Sequence, residues 1–140
     1  MTKPITVAGV CFLKNREHIL LVRKQGTEHF MLPGGKPDLS ESIYAAAIRE
    51  CHEEINVQLN EDSLRFLGRW TAPAANETGR TIDATVFVCE AAEAAGAASG
   101  AEIAEVRWVS IKSAPASVLL APLVTENVIP ALASAPRACA

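Results

Sequence analysis

The hydrophobic period of the chain changes at residues 33–35, where Pro33, Gly34 and Gly35 stand together. Proline fixes its own φ and lacks an N–H, and two glycines permit backbone angles that other residues resist, so no regular element runs through this point. Before it, Ile5 to Leu13 and His18 to Arg23 are rich in Ile, Val and Leu. Lys14, Asn15, Arg16 and Glu17 separate them, which predicts a hairpin with a polar turn. Phe30, Met31 and Leu32 add a brief extended piece. Beyond the break, Ile43, Ala46, Ala47 and Cys51 recur at three and four residues. That spacing predicts a helix from Ser40 to Glu54, with Ser40 as N-cap and Glu41 in the first turn.

Leu64 to Thr71 and Thr81 to Glu90 have strand composition, and the small and polar residues from Pro73 to Gly79 form a loop able to line a site. Residues 91–101, AAEAAGAASGA, fit a flexible connection and a poorly marked helical turn equally. Ile103 to Val109 reads as a strand, and Ser117 to Leu132 as a closing helix that Pro122 starts or kinks. One domain is expected over residues 1–132, with a flexible tail at 133–140. Short strands interspersed with helices give a layered α/β fold. Neither a Gly-rich dinucleotide fingerprint nor a phosphate-loop lysine motif is present.

Composition narrows the function classes. With 49% apolar and 21% charged residues, the 140-residue chain has material for a real core. A formal charge of -3 supplies no drive toward duplex nucleic acid or an anionic membrane. The longest apolar runs, such as Ile19 to Val22 and Val118 to Val124, fall far short of the roughly 20 residues that span a bilayer. The N-terminal segment leads straight into strand-like sequence without a cleavage tail, so a cytoplasmic protein is expected. Cys11, Cys51, Cys89 and Cys139 form no CxxC pair, which points to packing roles for three of them and a reducing compartment.

The stretch GGKPDLSESIYAAAIRECHEEINV, residues 34–57, holds the chemistry. Glu50, Glu53 and Glu54 stand at i, i+3 and i+4, so their side chains leave one helical face. Like charges that close repel, and a divalent cation turns the repulsion into ligation; an all-oxygen set suits Mg²⁺ or Mn²⁺ better than zinc. Such an ion polarises phosphoryl oxygens and lowers the pKa of bound water. By spacing alone, a solvated helix face is the commoner use of three such glutamates. Arg49 is expected on a different side from Glu53, pairing with Glu41 eight residues earlier to fix the helix against the preceding loop. Gly34 and Gly35 would let that loop approach a ligand.

In the order Gly35, Glu41, Arg49-Glu50, apolar Cys51 and Glu53-Glu54, the segment resembles the signature box of the Nudix hydrolase family. Every charged position of the box matches. The glycine expected next is Asn56, a residue that tolerates the left-handed backbone such a turn needs. The resemblance extends over residues 5–131, including the LPGG entry and the later EIAEVRWV. It implies an α/β/α sandwich with a mixed β-sheet. It also implies Mg²⁺- or Mn²⁺-dependent hydrolysis of a nucleoside diphosphate linked to another moiety, of the nucleoside triphosphate, ADP-ribose or nucleotide-sugar type.

On these positions the resemblance implies Glu50, Glu53 and Glu54 as metal ligands and Glu53 or Glu54 as base. Arg49 is counted with the catalytic positions and Glu41 is structural. A later glutamate often joins the ligands in the family, Glu102 by preference here and Glu105 second. Gly34, Gly35 and Arg23 are expected at the substrate, and Lys24 beside Arg23 has the same charge to offer a phosphate. Trp70, Phe30 and Phe87 could stack on a base, with core packing the simpler use of each, as for Trp108 and Tyr44. His18, His29 and His52 receive no catalytic role. A homodimer is a family-based expectation. The alternative is a nucleotide-binding regulatory module with little hydrolysis, which Asn56 and the unlocated fourth carboxylate keep open.

Overall fold

The computed structural model describes residues 3–100 and 102–134. The predicted hairpin opens it: β1 (Ile5–Lys14) and β2 (His18–Lys24) pair antiparallel, and Asn15 and Arg16 reverse the chain at φ 53° and 59°. Only the end of β1 pairs with β2, as Leu13 opposite Ile19 and Lys14 opposite His18. The same edge of β1 holds β4 (Gly34–Gly35) further back, with Ala8 opposite Gly35 and Gly9 opposite Gly34. The predicted break is thus itself a short strand that lays the two glycines on the central strand. Between β2 and β4, β3 (His29–Phe30) pairs parallel with β8 (Leu119–Leu120).

Along its other edge β1 pairs in parallel with β6 (Thr81–Glu90), from Ile5 opposite Ile82 to Leu13 opposite Glu90. β5 (Arg65–Pro73) lies antiparallel outside β6, and β7 (Ile103–Ser110) antiparallel outside β2, giving the order β5-β6-β1-β2-β7. One parallel pair among antiparallel ones makes the sheet mixed. The period of two then sorts side chains to its faces. Val10, Phe12, Leu20, Val22 and Phe87 meet Ala46, Ala47, Cys51 and Ile55 of α1 (Ile43–Ile55). Cys11, Ile19, Leu21 and Val86 meet Leu123, Val124 and Val128 on the opposite face. The sheet lies between helices, as expected of the α/β/α sandwich.

Two helices differ from expectation. α1 starts at Ile43, and Ser42, not Ser40, is its N-cap, accepting the Ala45 N–H at 3.0 Å. Ser40 sits at φ 72° and Glu41 stays outside the helix, because Asp38 to Glu41 closes a turn of its own through Glu41 N–H to the Asp38 carbonyl, 2.9 Å. At the far end Asn56 adopts φ 59°, ψ 34°, and the Val57 N–H reaches back to the Cys51 carbonyl at 3.4 Å.

The closing helix is shorter than 117–132. Leu119 and Leu120 extend as β8, Pro122 with φ -53° sets the start, and π-helical turns over Leu123–Val128 run into α2 (Ile129–Ser134). Residues 91–101 contain a 3-10 turn at Ala91–Ala94 that buries Ala94. Cys11, Cys51 and Cys89 are free and buried in packing positions; Cys139 and most of the expected 133–140 tail lie outside the described residues, while Ala133 and Ser134 end α2. No helix among the described residues is long and apolar enough to cross a membrane.

Candidate functional site

β4 brings backbone against the box carboxylates. The Gly34 N–H donates to Oε1 of Glu54 at 3.1 Å, and a Cβ on Gly35 would land on the carboxyl group of Glu50. A Cβ on Gly34, at φ 148°, would collide with the carbonyl of Ala8 in β1. A side chain on Gly34 would meet fixed backbone, whereas one on Gly35 would meet only the side chain of Glu50 and displace it.

Arg49 holds the loop and the helix together. Its Nε and Nη2 donate to the two oxygens of Glu41, both at 2.9 Å, and Nη2 also reaches the Lys36 carbonyl at 3.0 Å. This fork accounts for the Glu41 carboxyl falling to about 2, with the Asp38 N–H adding to it. The expected Glu41–Arg49 pair is present. Arg49 does not point away from Glu53: its Nη1 meets Glu50 Oε2 at 3.2 Å and Glu53 Oε1 at 3.3 Å. Residues four apart share one helix face, so the spacing brings Arg49 and Glu53 together.

The three glutamates differ in environment. Glu54 is buried, with 7% of its surface exposed, whereas the Glu53 side chain is 55% exposed. Burial pushes the Glu54 carboxyl up to about 7; the Gly34 amide and Lys24 oppose the shift, and Glu50 and Glu102 add to it. Burial also raises Glu50, against the pull of Arg49. Glu102, at φ 69°, therefore stands within electrostatic reach of Glu54. Glu105 instead pairs with Arg23 at 3.6 Å. Among the described residues, no three acidic, histidine or cysteine side chains converge tightly enough to enclose an ion. The donor set is nonetheless all carboxylate oxygen, and Oε2 of buried Glu54 takes no donor among the described residues. That chemistry fits a hard divalent cation.

Beside this cluster opens a cavity of about 510 Å³. Glu50, Gly34, Gly35, Lys24 and Lys36 are among its lining residues. Ile5, Leu32, Ile82, Leu123 and Val124 give it an aliphatic lining, and Asn76 and Glu77 join from the 73–79 loop. Arg23 is not among the lining residues. Nor is any aromatic residue: Phe30 and Phe87 are core, Tyr44 packs on Phe87 at 4.7 Å, Trp70 covers Gly68, and Lys14 lies over Trp108 at 4.2 Å. His52 is exposed on α1, while His18 and His29 are half-buried in strands outside the cavity lining.

Sequence reasoning missed Gly100. Its N–H donates to the Glu54 carbonyl at 2.7 Å, and a Cβ there would strike the Glu53 carbonyl. Nothing in AAEAAGAASGA marks this contact, whereas the alternation along β2 could have placed Lys24 on the α1 face.

The family model for the NUDIX domain matches residues 3–132. No curated protein matches the sequence. Among solved structures, a MutT/nudix family protein from Enterococcus faecalis superposes with a TM-score of 0.73 at 17% identity, over 94% of this chain and 61% of that one. The chain thus spans about three fifths of that protein. A MutT NUDIX hydrolase from Burkholderia pseudomallei gives 0.71 at 20% identity, over 96% of this chain and all of that one. A bifunctional NMN adenylyltransferase/ADP ribose pyrophosphatase from Francisella tularensis gives 0.71 at 20% identity, over 96% of this chain and 42% of that one. At such identities the likeness is one of fold. With the family model covering almost the whole chain and the box in place, the chain belongs to the NUDIX domain family, that of the Nudix hydrolases.

Proposed function

We propose that the chain is a divalent-metal-dependent pyrophosphohydrolase. Its substrate would be a nucleoside diphosphate linked to another moiety, of the nucleoside triphosphate, ADP-ribose or nucleotide-sugar type. The observation behind this is the junction of β4 and α1: Gly34 and Gly35 bring backbone against Glu54 and Glu50, and Glu50 lines a cavity together with Lys24, Lys36 and aliphatic residues. The proteins of similar fold include one titled UDP-X diphosphatase and an ADP ribose pyrophosphatase crystallised with AMP and manganese, which supports this substrate class and a cation of this kind.

Glu50, Glu53, Glu54 and Glu102 would hold Mg²⁺ or Mn²⁺. The ion supplies Lewis acidity toward the phosphoryl oxygens and offsets charge that develops there. The chain's own groups do the rest. Water attacks one phosphorus of the bridge, the bond to the bridging oxygen breaks, and a carboxylate of Glu53 or Glu54 accepts the proton. Arg49 fixes Glu50 and Glu53 through Nη1, and Gly34 orients Glu54 through its N–H. The aliphatic lining of the cavity would take the uncharged part of the nucleotide.

Chromatography of products from a panel of nucleoside triphosphates, oxidised triphosphates, ADP-ribose, nucleotide sugars and dinucleotides, with and without Mg²⁺ or Mn²⁺, tests this. Cleavage of one class that stops without metal is expected. Folded protein that binds nucleotides and turns none over would favour the regulatory module.

A further inference from the structure

We infer that Lys24, and not Arg23, is the cation that receives the substrate's phosphate oxygens in the cavity that Glu50 also lines. The inference rests on the pyrophosphohydrolase reading above. Along β2, Leu20 and Val22 face α1 while Ile19 and Leu21 face the opposite layer, so the period of two puts Lys24 on the α1 face and Arg23 behind it. The contacts agree. Arg23 donates from Nη1 to the Thr27 carbonyl at 3.0 Å, pairs with Glu105 at 3.6 Å and lies 5.9 Å from the ring of Phe30. It closes the 24–27 turn and ties it to β7.

Lys24 is engaged differently. Its carbonyl takes the Thr27 hydroxyl at 2.8 Å, which fixes the backbone, while its ammonium makes no ion pair within 4.0 Å among the described residues. The ladder between β2 and β7 bulges there, Arg23 standing opposite Glu105 and Lys24 opposite Ile103. The extra residue, Ala104, lies on β7, so the alternation along β2 runs on through Lys24. Lys24 lines the cavity with Glu50, Gly34 and Gly35. Lys24 is therefore a cation next to carboxylates that would themselves bind a cation. It should oppose a metal ion arriving alone and assist a phosphate arriving with one.

The two roles give opposite signs in one variant, which a merely structural lesion would not. Binding of methylenediphosphonate, whose bridging carbon resists hydrolysis, is measured by calorimetry with Mg²⁺ present; binding of Mn²⁺ alone is followed by electron paramagnetic resonance. Lys24→Met is expected to weaken diphosphonate binding by about 10- to 100-fold, the scale of a charged hydrogen bond. It should bind Mn²⁺ alone at least as tightly as the parent. Lys24→Arg restores part of the diphosphonate affinity. Arg23→Met changes either affinity by less than about threefold, the scale of a partly exposed ion pair.

Undiminished diphosphonate binding by Lys24→Met would overturn the inference, as would the loss appearing in Arg23→Met instead. Parallel loss of diphosphonate and Mn²⁺ in Lys24→Met would also overturn it, by assigning Lys24 a structural role. If the parent protein itself binds no diphosphonate with metal present, the pyrophosphohydrolase reading falls first.

Discussion

Replacing Gly100 by alanine should destabilise the protein although the residue lies in a stretch of alanines and glycines. An added Cβ meets the Glu53 carbonyl, with the Glu54 carbonyl at 3.0 Å behind it. Both are backbone and cannot swing aside. Overpacking of this kind costs about 1–3 kcal/mol. The shift also strains the 2.7 Å bond from the Gly100 N–H to the Glu54 carbonyl, a bond of about 0.5–1.5 kcal/mol. Alanine restricts the unfolded chain and returns about 0.4–1 kcal/mol. The net loss is about 0.5–4 kcal/mol, centred on about 2, or roughly 6 °C in Tm for a domain of this size.

Gly96 is the control. Four positions earlier in the same stretch, its Cβ would meet nothing within 4 Å, so Gly96→Ala should leave stability unchanged or raise it. Urea and thermal unfolding followed by circular dichroism compare the two. Equal stability of Gly100→Ala and the parent, or equal damage from both variants, would refute the claim that 98–100 is seated on the end of α1.

Other consequences follow from the same contacts. Gly35→Ala should leave Tm within a few degrees of the parent, because its Cβ meets only the movable carboxyl of Glu50. It should lower kcat by about 100-fold through misplacement of that group, and a variant with parental kcat would show that Glu50 is not positioned by β4. Glu41 has its carboxyl lowered from 4.5 to about 2 by Arg49. The pair therefore stabilises the fold fully above the unfolded value and loses that contribution as pH falls toward 2. A plot of Tm against pH between 5 and 2 should fall less steeply for Glu41→Gln than for the parent; identical slopes would contradict the assignment.

The elements that local chemistry alone decides were legible in the sequence. The hairpin follows from a polar turn between apolar runs, and β6 begins and ends where its composition does, at Thr81 and Glu90. The box was legible because Gly35, Glu41, Arg49, Glu50, Glu53 and Glu54 match a known family's signature position by position, where spacing alone would leave three glutamates on a solvated helix face. Where two local solutions compete, sequence reasoning chose wrongly. Ser40 and Ser42 are both good caps, and the Asp38–Glu41 turn, which Arg49 grips through Glu41, decides for Ser42. The closing segment was read as one helix because Val118, Leu119 and Leu120 are apolar, but β3 offers a partner strand and Leu119 and Leu120 extend beside it. Arg49 was put on a different side from Glu53, although a separation of four is the spacing that shares a helix face. Gly100 was invisible because its constraint is a carbonyl some forty residues away in sequence.

The central claim is that the box glutamates form a metal-dependent hydrolytic site, and Glu54→Gln tests it most directly. Glutamine keeps the shape and an oxygen for the 3.1 Å bond from Gly34, so the fold should survive with a Tm close to that of the parent. Turnover of the best substrate of the panel is measured for both proteins, before and after chelation and after return of Mg²⁺ or Mn²⁺. The account predicts parental turnover that stops on chelation and returns with metal, and a folded variant slower by at least about 100-fold. Turnover indifferent to chelation, or a Glu54→Gln protein as fast as the parent, would contradict it.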